Sequence, residues 1–147
     1  ITEDKWFWDI VKVDGKPFRG KVDFFMGGSP CQSFSMVGKR KGLDDERGVL
    51  IYEFSRLIEE IQPKIFIWEN VKGVLSHNNG ETWKHIKEEF ERHGYHIHYK
   101  VLNAKDYGIP QNRERLFVVG FKKENKKFKF PKPIPLEITM QDLLEDN

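Results

Sequence analysis

The stretch Val22-Asp23-Phe24-Phe25-Met26-Gly27-Gly28-Ser29-Pro30-Cys31-Gln32-Ser33-Phe34-Ser35 changes character partway along. Val22 to Met26 is a mainly apolar run of strand length, which predicts a short buried strand. Gly27 and Gly28 are expected to end that strand and turn the chain tightly. Pro30 then fixes the backbone just before Cys31, the single cysteine of the chain. A lone cysteine is by residue type a small buried hydrophobe. This one is bracketed by Pro30, Gln32, Ser33 and Ser35 rather than by aliphatic residues. It also lies past the carboxyl end of an expected parallel strand, where open α/β sheets place their chemistry. Cys31 is therefore the first candidate for a reactive group.

Downstream, Ser29 to Gly48 reads as a long loop with Gly38, Gly42 and Gly48 as hinges and Lys39, Arg40 and Lys41 near its middle. Long loops without secondary structure in a compact domain are commonly functional or disordered. Asp44-Asp45-Glu46 suits a helix start. Leu50, Phe54, Leu57, Ile58 and Ile61 recur at helical spacing, with Glu53, Arg56, Glu59 and Glu60 off that face, and Pro63 ends the helix. Ile65 to Trp68 reads as a strand covered on both faces, with Glu69-Asn70 at its carboxyl end, level with Cys31. After a loop from Val71 to Asn79, Glu81 to His93 predicts a helix with Trp83, Ile86, Lys87 and Phe90 on one side, stopped by Gly94. Tyr95 to Leu102 alternates as a strand with one polar face. Asn103 to Pro110 reads as a turn region, Gln111 to Arg115 as a lead-in, and Leu116 to Phe121 as a last strand. The alternation predicts an α/β fold built from βαβ units around a parallel, Rossmann-like sheet flanked by helices.

The ends are different. Ile1 to Gly20 carries Trp6, Phe7, Trp8 and Phe18 and is expected to pack as an irregular segment on the sheet edge, with a turn near Asp14-Gly15. Residues 122–147 shift to Lys, Asn and Pro, a linker-like composition, before Thr139-Met140-Gln141-Asp142 offers a capping box for a short helix. The expected division is 1–121 as one catalytic part and 122–147 as linker and short helix.

The chain of 147 residues carries a formal net charge of +2, so bulk charge says little about nucleic acid. The basic residues are clustered, at Lys39-Arg40-Lys41, at Arg113 with Arg115, and from Lys122 to Lys132. One cysteine forbids an internal disulfide and fits a reducing cytoplasm. No stretch has the length and apolarity of a membrane span, and no signal peptide is visible. His93, His96 and His98 lie close in sequence without an acidic or cysteine partner at ligand spacing, so no metal is expected.

Gly-Ser-Pro-Cys-Gln-Ser-Phe-Ser resembles the nucleophile loop of the DNA cytosine-5 methyltransferases. Glu69-Asn70-Val71 resembles that family's second catalytic motif, and Gln111-Asn112-Arg113-Glu114-Arg115 its third. All three stand in family order, and the resemblance runs from about Lys21 to Phe121, near the bacterial restriction-modification type. It implies an incomplete S-adenosylmethionine-dependent methyltransferase fold acting on double-stranded DNA. Cys31 would add to carbon 6 of cytosine, which makes carbon 5 nucleophilic. Glu69 would serve ring nitrogen 3 if a partly dry site raised its pKa. Arg115 would hold the base carbonyl or a phosphate through its fork of donors, with Arg113 sharing the task or positioning the loop; the alternative for both is a surface ion pair with Glu114 or another acid.

The resemblance further implies that Asn70 fixes the Pro30-Cys31 turn and that Pro30 and Leu50 line the cofactor pocket, with Ile1 touching the adenine ring unless it is an ordinary chain end. Gln32 and Ser35 would meet phosphates flanking the target nucleotide, and Lys39, Arg40 and Lys41 would form a lid over DNA. The target carbon is unreachable in a stacked duplex, so the base must be flipped out. The family's Gly-rich cofactor loop and its target-recognition region are expected before Ile1 and after Asn147. The chain alone is accordingly expected to be inactive, with an unpaired sheet edge that invites self-association. A non-catalytic DNA-binding relative and a methyltransferase acting on RNA are the competing readings.

Overall fold

The computed structural model of the chain describes residues 7–29 and 50–144. Four strands form one open sheet: β1 (Phe24–Gly28), β2 (Ile65–Val71), β3 (His96–Asn103) and β4 (Glu114–Phe121). Two helices connect them, α1 (Leu50–Ile61) ahead of β2 and α2 (Glu81–Arg92) ahead of β3. The spatial order is β1-β2-β4-β3. β1 and β2 are parallel, as the βαβ reading requires. β4 runs antiparallel to both β2 and β3, which corrects the expectation of a parallel sheet throughout. Parallel pairing needs a crossover of a dozen or more residues. The connection from Asn103 to Glu114 is shorter and reverses the chain as a hairpin-like return. β2 and β3, joined through α2, keep one direction, and β4 slots between them.

The amphipathic readings of both helices hold. α1 buries Ile51, Phe54, Leu57, Ile58 and Ile61. α2 buries Thr82, Trp83, Ile86 and Phe90, while Lys87, expected on that side, is half-buried and pairs with Glu91 at 3.4 Å. Gly94 stops α2 with a left-handed φ of 80° that costs a glycine nothing. Between the helices and the sheet, Phe54, Phe66, Trp68 and Phe90 form an aromatic cluster, with Phe66 and Phe90 centroids 4.9 Å apart. Each such side chain stabilises the fold by roughly 1.5–3 kcal/mol through burial. Tyr95 closes the cluster from below: its hydroxyl donates to the Pro63 carbonyl at 2.7 Å, and burial pushes the phenol pKa up.

Strand parity divides the sheet. Phe66, Trp68 and Asn70 are buried on the helix side, whereas Ile65, Ile67 and Glu69 point to the other face. That second face is only partly covered, which corrects the expectation for Ile65 to Trp68. Phe128 and Phe130 lie across it, with Phe128 5.1 Å from Phe121, and an apolar cavity of about 410 Å³ remains among Phe24, Ile65, Ile67, Phe117 and Phe128.

The segment before β1 packs on α1, not on the sheet edge as expected. Arg56 is the reason. Its guanidinium donates to the carbonyls of Ile10 and Val13 and to Glu53 and Glu60, so a residue read as solvent-facing ties the segment down. Burial acts to lower the Arg56 pKa, and the two carboxylates outweigh it and raise it. Glu60 also accepts from the Gly15 backbone N–H at 2.8 Å, while Asp14 caps the turn by accepting from Lys16. At the far end, Thr139 and Asp142 make the reciprocal bonds of a capping box before a short turn of helix at Gln141–Leu143.

Candidate functional site

The carboxyl ends of the parallel pair β1 and β2 define the site. β1 does not stop before its glycines: the strand starts two residues later than expected and runs through Gly27 and Gly28. Both glycines answer to close neighbours. A Cβ at Gly27 would come within 3.1 Å of the Phe54 ring. A Cβ at Gly28 would lie 2.9 Å from the Glu69 carbonyl oxygen and 3.0 Å from its Oε2. Gly28 and Glu69 are register partners, so the absent side chain at 28 is the space the Glu69 carboxylate occupies.

Asn70 points the other way and is buried. Its Nδ2 donates to the Ser29 carbonyl at 2.8 Å and lies 3.3 Å from Ser29 Oγ, while its Oδ1 accepts from the Val71 N–H at 2.8 Å. The peptide that leads into Pro30 is thereby held from β2. Pro30, Cys31, Gln32, Ser35, Lys39, Arg40, Lys41 and Ile1 lie outside the described residues, as do the acidic residues Asp44 to Glu46. Leu50 is described and half-buried at the start of α1. The Phe54 ring packs against Gly27 near the carboxyl end of β1, and Leu50 lies one helical turn before Phe54.

β4 supplies the third part. Arg115 forms an ion pair with Glu69, Nε 3.0 Å from Oε1, and Arg115 Nη1 donates to the Glu114 carbonyl at 2.8 Å. Glu114 itself pairs with Lys72, both carboxylate oxygens 3.1 Å from Nζ. Of the ion-pair alternatives, Arg115 makes the one with another acid, Glu69, while the Glu114 carboxylate goes to Lys72. Arg113 is exposed, and among the described residues its guanidinium has no partner. The result is a mixed cluster at one end of the sheet: Glu69 with Arg115, Lys72 with Glu114, and a free cation at Arg113. Glu69 is 38% exposed, so the carboxylate is open to a substrate, and the described residues alone do not make the dry surroundings expected for it.

Sequence reasoning missed Asn103. This buried residue ends β3, and its side chain reaches across to Asn112 and Arg113. The available signal was an asparagine at the mouth of a return loop, a residue that commonly bonds nearby backbone. The histidines do no common work: His93 is buried between the helices, with Nε2 2.8 Å from Ser55 Oγ, whereas His98 stacks edge-on to Phe121 and Phe128. Among the described residues no cluster of three or more His, Cys, Asp or Glu has the geometry to hold a metal ion, and no helix is long and apolar enough to cross a membrane.

Comparison with known proteins places this arrangement. The chain is 48% identical over 138 residues to the type II methyltransferase M.Bsp6I of Bacillus sp. (strain RFL6), covering 91% of this chain and 43% of that protein. It is 43% identical over 138 residues to the type II methyltransferase M.HhaI of Haemophilus parahaemolyticus, covering 92% and 42%. The chain thus spans about two-fifths of the length of these relatives. The solved structure of the Entamoeba histolytica methyltransferase EhMeth shares the fold with a TM-score of 0.69 over 96% of this chain and 45% of that one, at 20% identity. The family described as C-5 cytosine-specific DNA methylase matches residues 2–147, and with all three motifs inside that span the chain belongs to this family.

Proposed function

We propose that the intact protein transfers a methyl group to carbon 5 of a cytosine flipped out of double-stranded DNA, in the manner of a restriction-modification methyltransferase. The observation that carries this reading is the convergence of Ser29, just past β1, with Glu69 of β2 and Arg115 of β4 at one end of the sheet. Cys31, two residues beyond Ser29, is the nucleophile. Its thiolate adds to carbon 6 of the ring, and the electron density appears at carbon 5 and ring nitrogen 3. Glu69 faces nitrogen 3 and supplies the proton or hydrogen bond that this density demands. Arg115 holds the Glu69 carboxylate and offers its remaining donors to the base carbonyl. Arg113 is left to a phosphate, with Gln32, Ser35 and the Lys39-Arg40-Lys41 loop. After methylation, loss of the carbon 5 proton and expulsion of the thiolate restore the ring.

S-adenosylmethionine supplies the methyl group when bound. The residues present fit it as one wall: Leu50 lies one helical turn before Phe54, whose ring packs near the carboxyl end of β1, where open α/β sheets receive their ligands. Pro30 and Ile1 would extend that wall, and residues 122–147 lead from it toward a target-recognition region. β1 is the last strand of the described sheet, with Met26 66% exposed. This edge favours pairing with a further strand, or self-association when none is present. The location proposed is the cytoplasm.

The test is methyl transfer by the intact protein from labelled S-adenosylmethionine to duplex DNA, followed by nucleoside analysis. The label should appear in 5-methylcytosine. Label confined to adenine, to the exocyclic nitrogen of cytosine or to RNA would refute the reading.

A further inference from the structure

We infer that Asn103 is a positioning residue that sets the catalytic arginine strand. Resting on the reading above, the inference concerns how the Gln111 to Arg115 segment is held, which none of the three motifs explains. Asn103 is the last residue of β3 and faces Glu114 in register. Its exposure is only 9%, and its amide makes three hydrogen bonds. Oδ1 accepts from the Arg113 N–H at 3.0 Å and from the Lys105 N–H at 3.4 Å, and Nδ2 donates to Asn112 Oδ1 at 2.7 Å. One backbone bond, from the Ala104 N–H to the Arg113 carbonyl at 3.1 Å, reinforces the same junction.

The body of the connection 104–113 is held by a helical turn at Ala104–Asp106 and by bonds from the Ile134 N–H to the Asp106 carbonyl and from the Tyr107 hydroxyl to the Pro131 carbonyl, none of which reaches its junction with β4. Asn103 closes it at its base by gripping the chain at two consecutive residues, Asn112 and Arg113. Two positions later Arg115 reaches Glu69. A shift of the strand start would therefore move the arginine that orients the carboxylate. Only a side chain with an acceptor and a donor on one planar group can make all three bonds. Asn103 is buried with its amide bonded to the connection itself, so its effect on turnover should pass through Arg115.

The experiment uses the intact protein with Asn103→Leu, Asn103→Asp, Arg115→Lys and the double variant Asn103→Leu/Arg115→Lys. Asn103→Leu should lower kcat by about 10- to 100-fold, the size expected of a misplacement near 1 Å, with the KM for S-adenosylmethionine within about twofold. In the Arg115→Lys background the same change should cost less than about threefold, because coupled residues are not additive. Asn103→Asp keeps the acceptor for the Arg113 N–H and lets Asn112 turn its amide to donate, so kcat should return to within about fivefold of the parent. Amide exchange should show the Arg113 N–H losing protection in Asn103→Leu and keeping it in Asn103→Asp, with Val118 unchanged in both. Additive losses in the double variant, or an Arg113 amide indifferent to Asn103→Leu, would overturn the inference. If Asn103→Leu does not fold, the Asn103→Asp arm decides: a kcat far below the parent with the Arg113 amide unprotected refutes it. A parent that methylates nothing would refute the functional reading alone, and the exchange arm would still decide whether Asn103 holds the segment.

Discussion

Glu69 and Arg115 form an ion pair, with Nε 3.0 Å from Oε1, on the sheet face opposite the helices. The register explains the contact: Glu69 faces Phe117, and Arg115 lies two residues along β4 on the same side. Half-exposed ion pairs of this kind contribute only about 0–1 kcal/mol to stability. The pair is thus poorly explained as a structural device and well explained as a held carboxylate. Glu69→Gln should leave the unfolding free energy within about 1 kcal/mol of the parent. It should nonetheless slow methyl transfer by about 10²–10⁴, the usual size of a general acid contribution, with DNA binding retained. Denaturant titration beside single-turnover kinetics measures both.

Gly28→Ala tests the other contact of that carboxylate. The new Cβ would meet the Glu69 carbonyl at 2.9 Å, and a backbone atom in a paired strand has little room to yield. A loss of about 1–3 kcal/mol is expected, typical of overpacking, together with lower turnover as Glu69 is displaced. Urea unfolding of the purified variant gives the first number.

Gly120→Ala should be more damaging. Gly120 sits in register with Phe66, and a Cβ there would fall 2.1 Å from the Phe66 ring. Phe66 is fully buried in the aromatic cluster and cannot swing aside. The expected cost is about 3 kcal/mol or more, the upper end of overpacking, and soluble yield in a parallel expression trial is the simplest readout. Gly120→Ala paired with Phe66→Leu should recover part of it.

The basic loop makes a separate prediction. Replacing Lys39, Arg40 and Lys41 with Ala should weaken DNA binding and flatten its salt dependence by up to about one unit of slope per lost phosphate contact. Titrations at several salt concentrations decide it; an unchanged slope would mean that the loop makes no phosphate contact.

Much of this site was legible because its parts are local. The helices announced themselves through Phe54, Ile58, Ile86 and Phe90 at helical spacing, and Glu69-Asn70 followed an apolar run that had to be a strand. What was not legible depends on distant partners. Gly27 and Gly28 read as a turn, yet they continue β1, because the reason for them is the Phe54 ring and the Glu69 carboxylate rather than a bend. Arg56 read as a solvent residue and instead gathers the carbonyls of Ile10 and Val13. The direction of β4 depended on the length of one connection, which periodicity does not weigh. Asn103 was hidden for the same reason as Arg56: its partners Asn112 and Arg113 are nine and ten residues away, and nothing local to Asn103 points to them.

The central claim is that Cys31 attacks the base. The most direct measurement is covalent trapping of the intact protein on duplex DNA carrying 5-fluorocytosine at the target, where fluorine blocks the loss that would release the enzyme. With S-adenosylmethionine present, a denaturation-resistant protein–DNA adduct should form, and peptide mapping should place the bond on Cys31. Cys31→Ala should abolish it. An adduct that survives Cys31→Ala, or methyl transfer by that variant at the parent rate, would contradict the account.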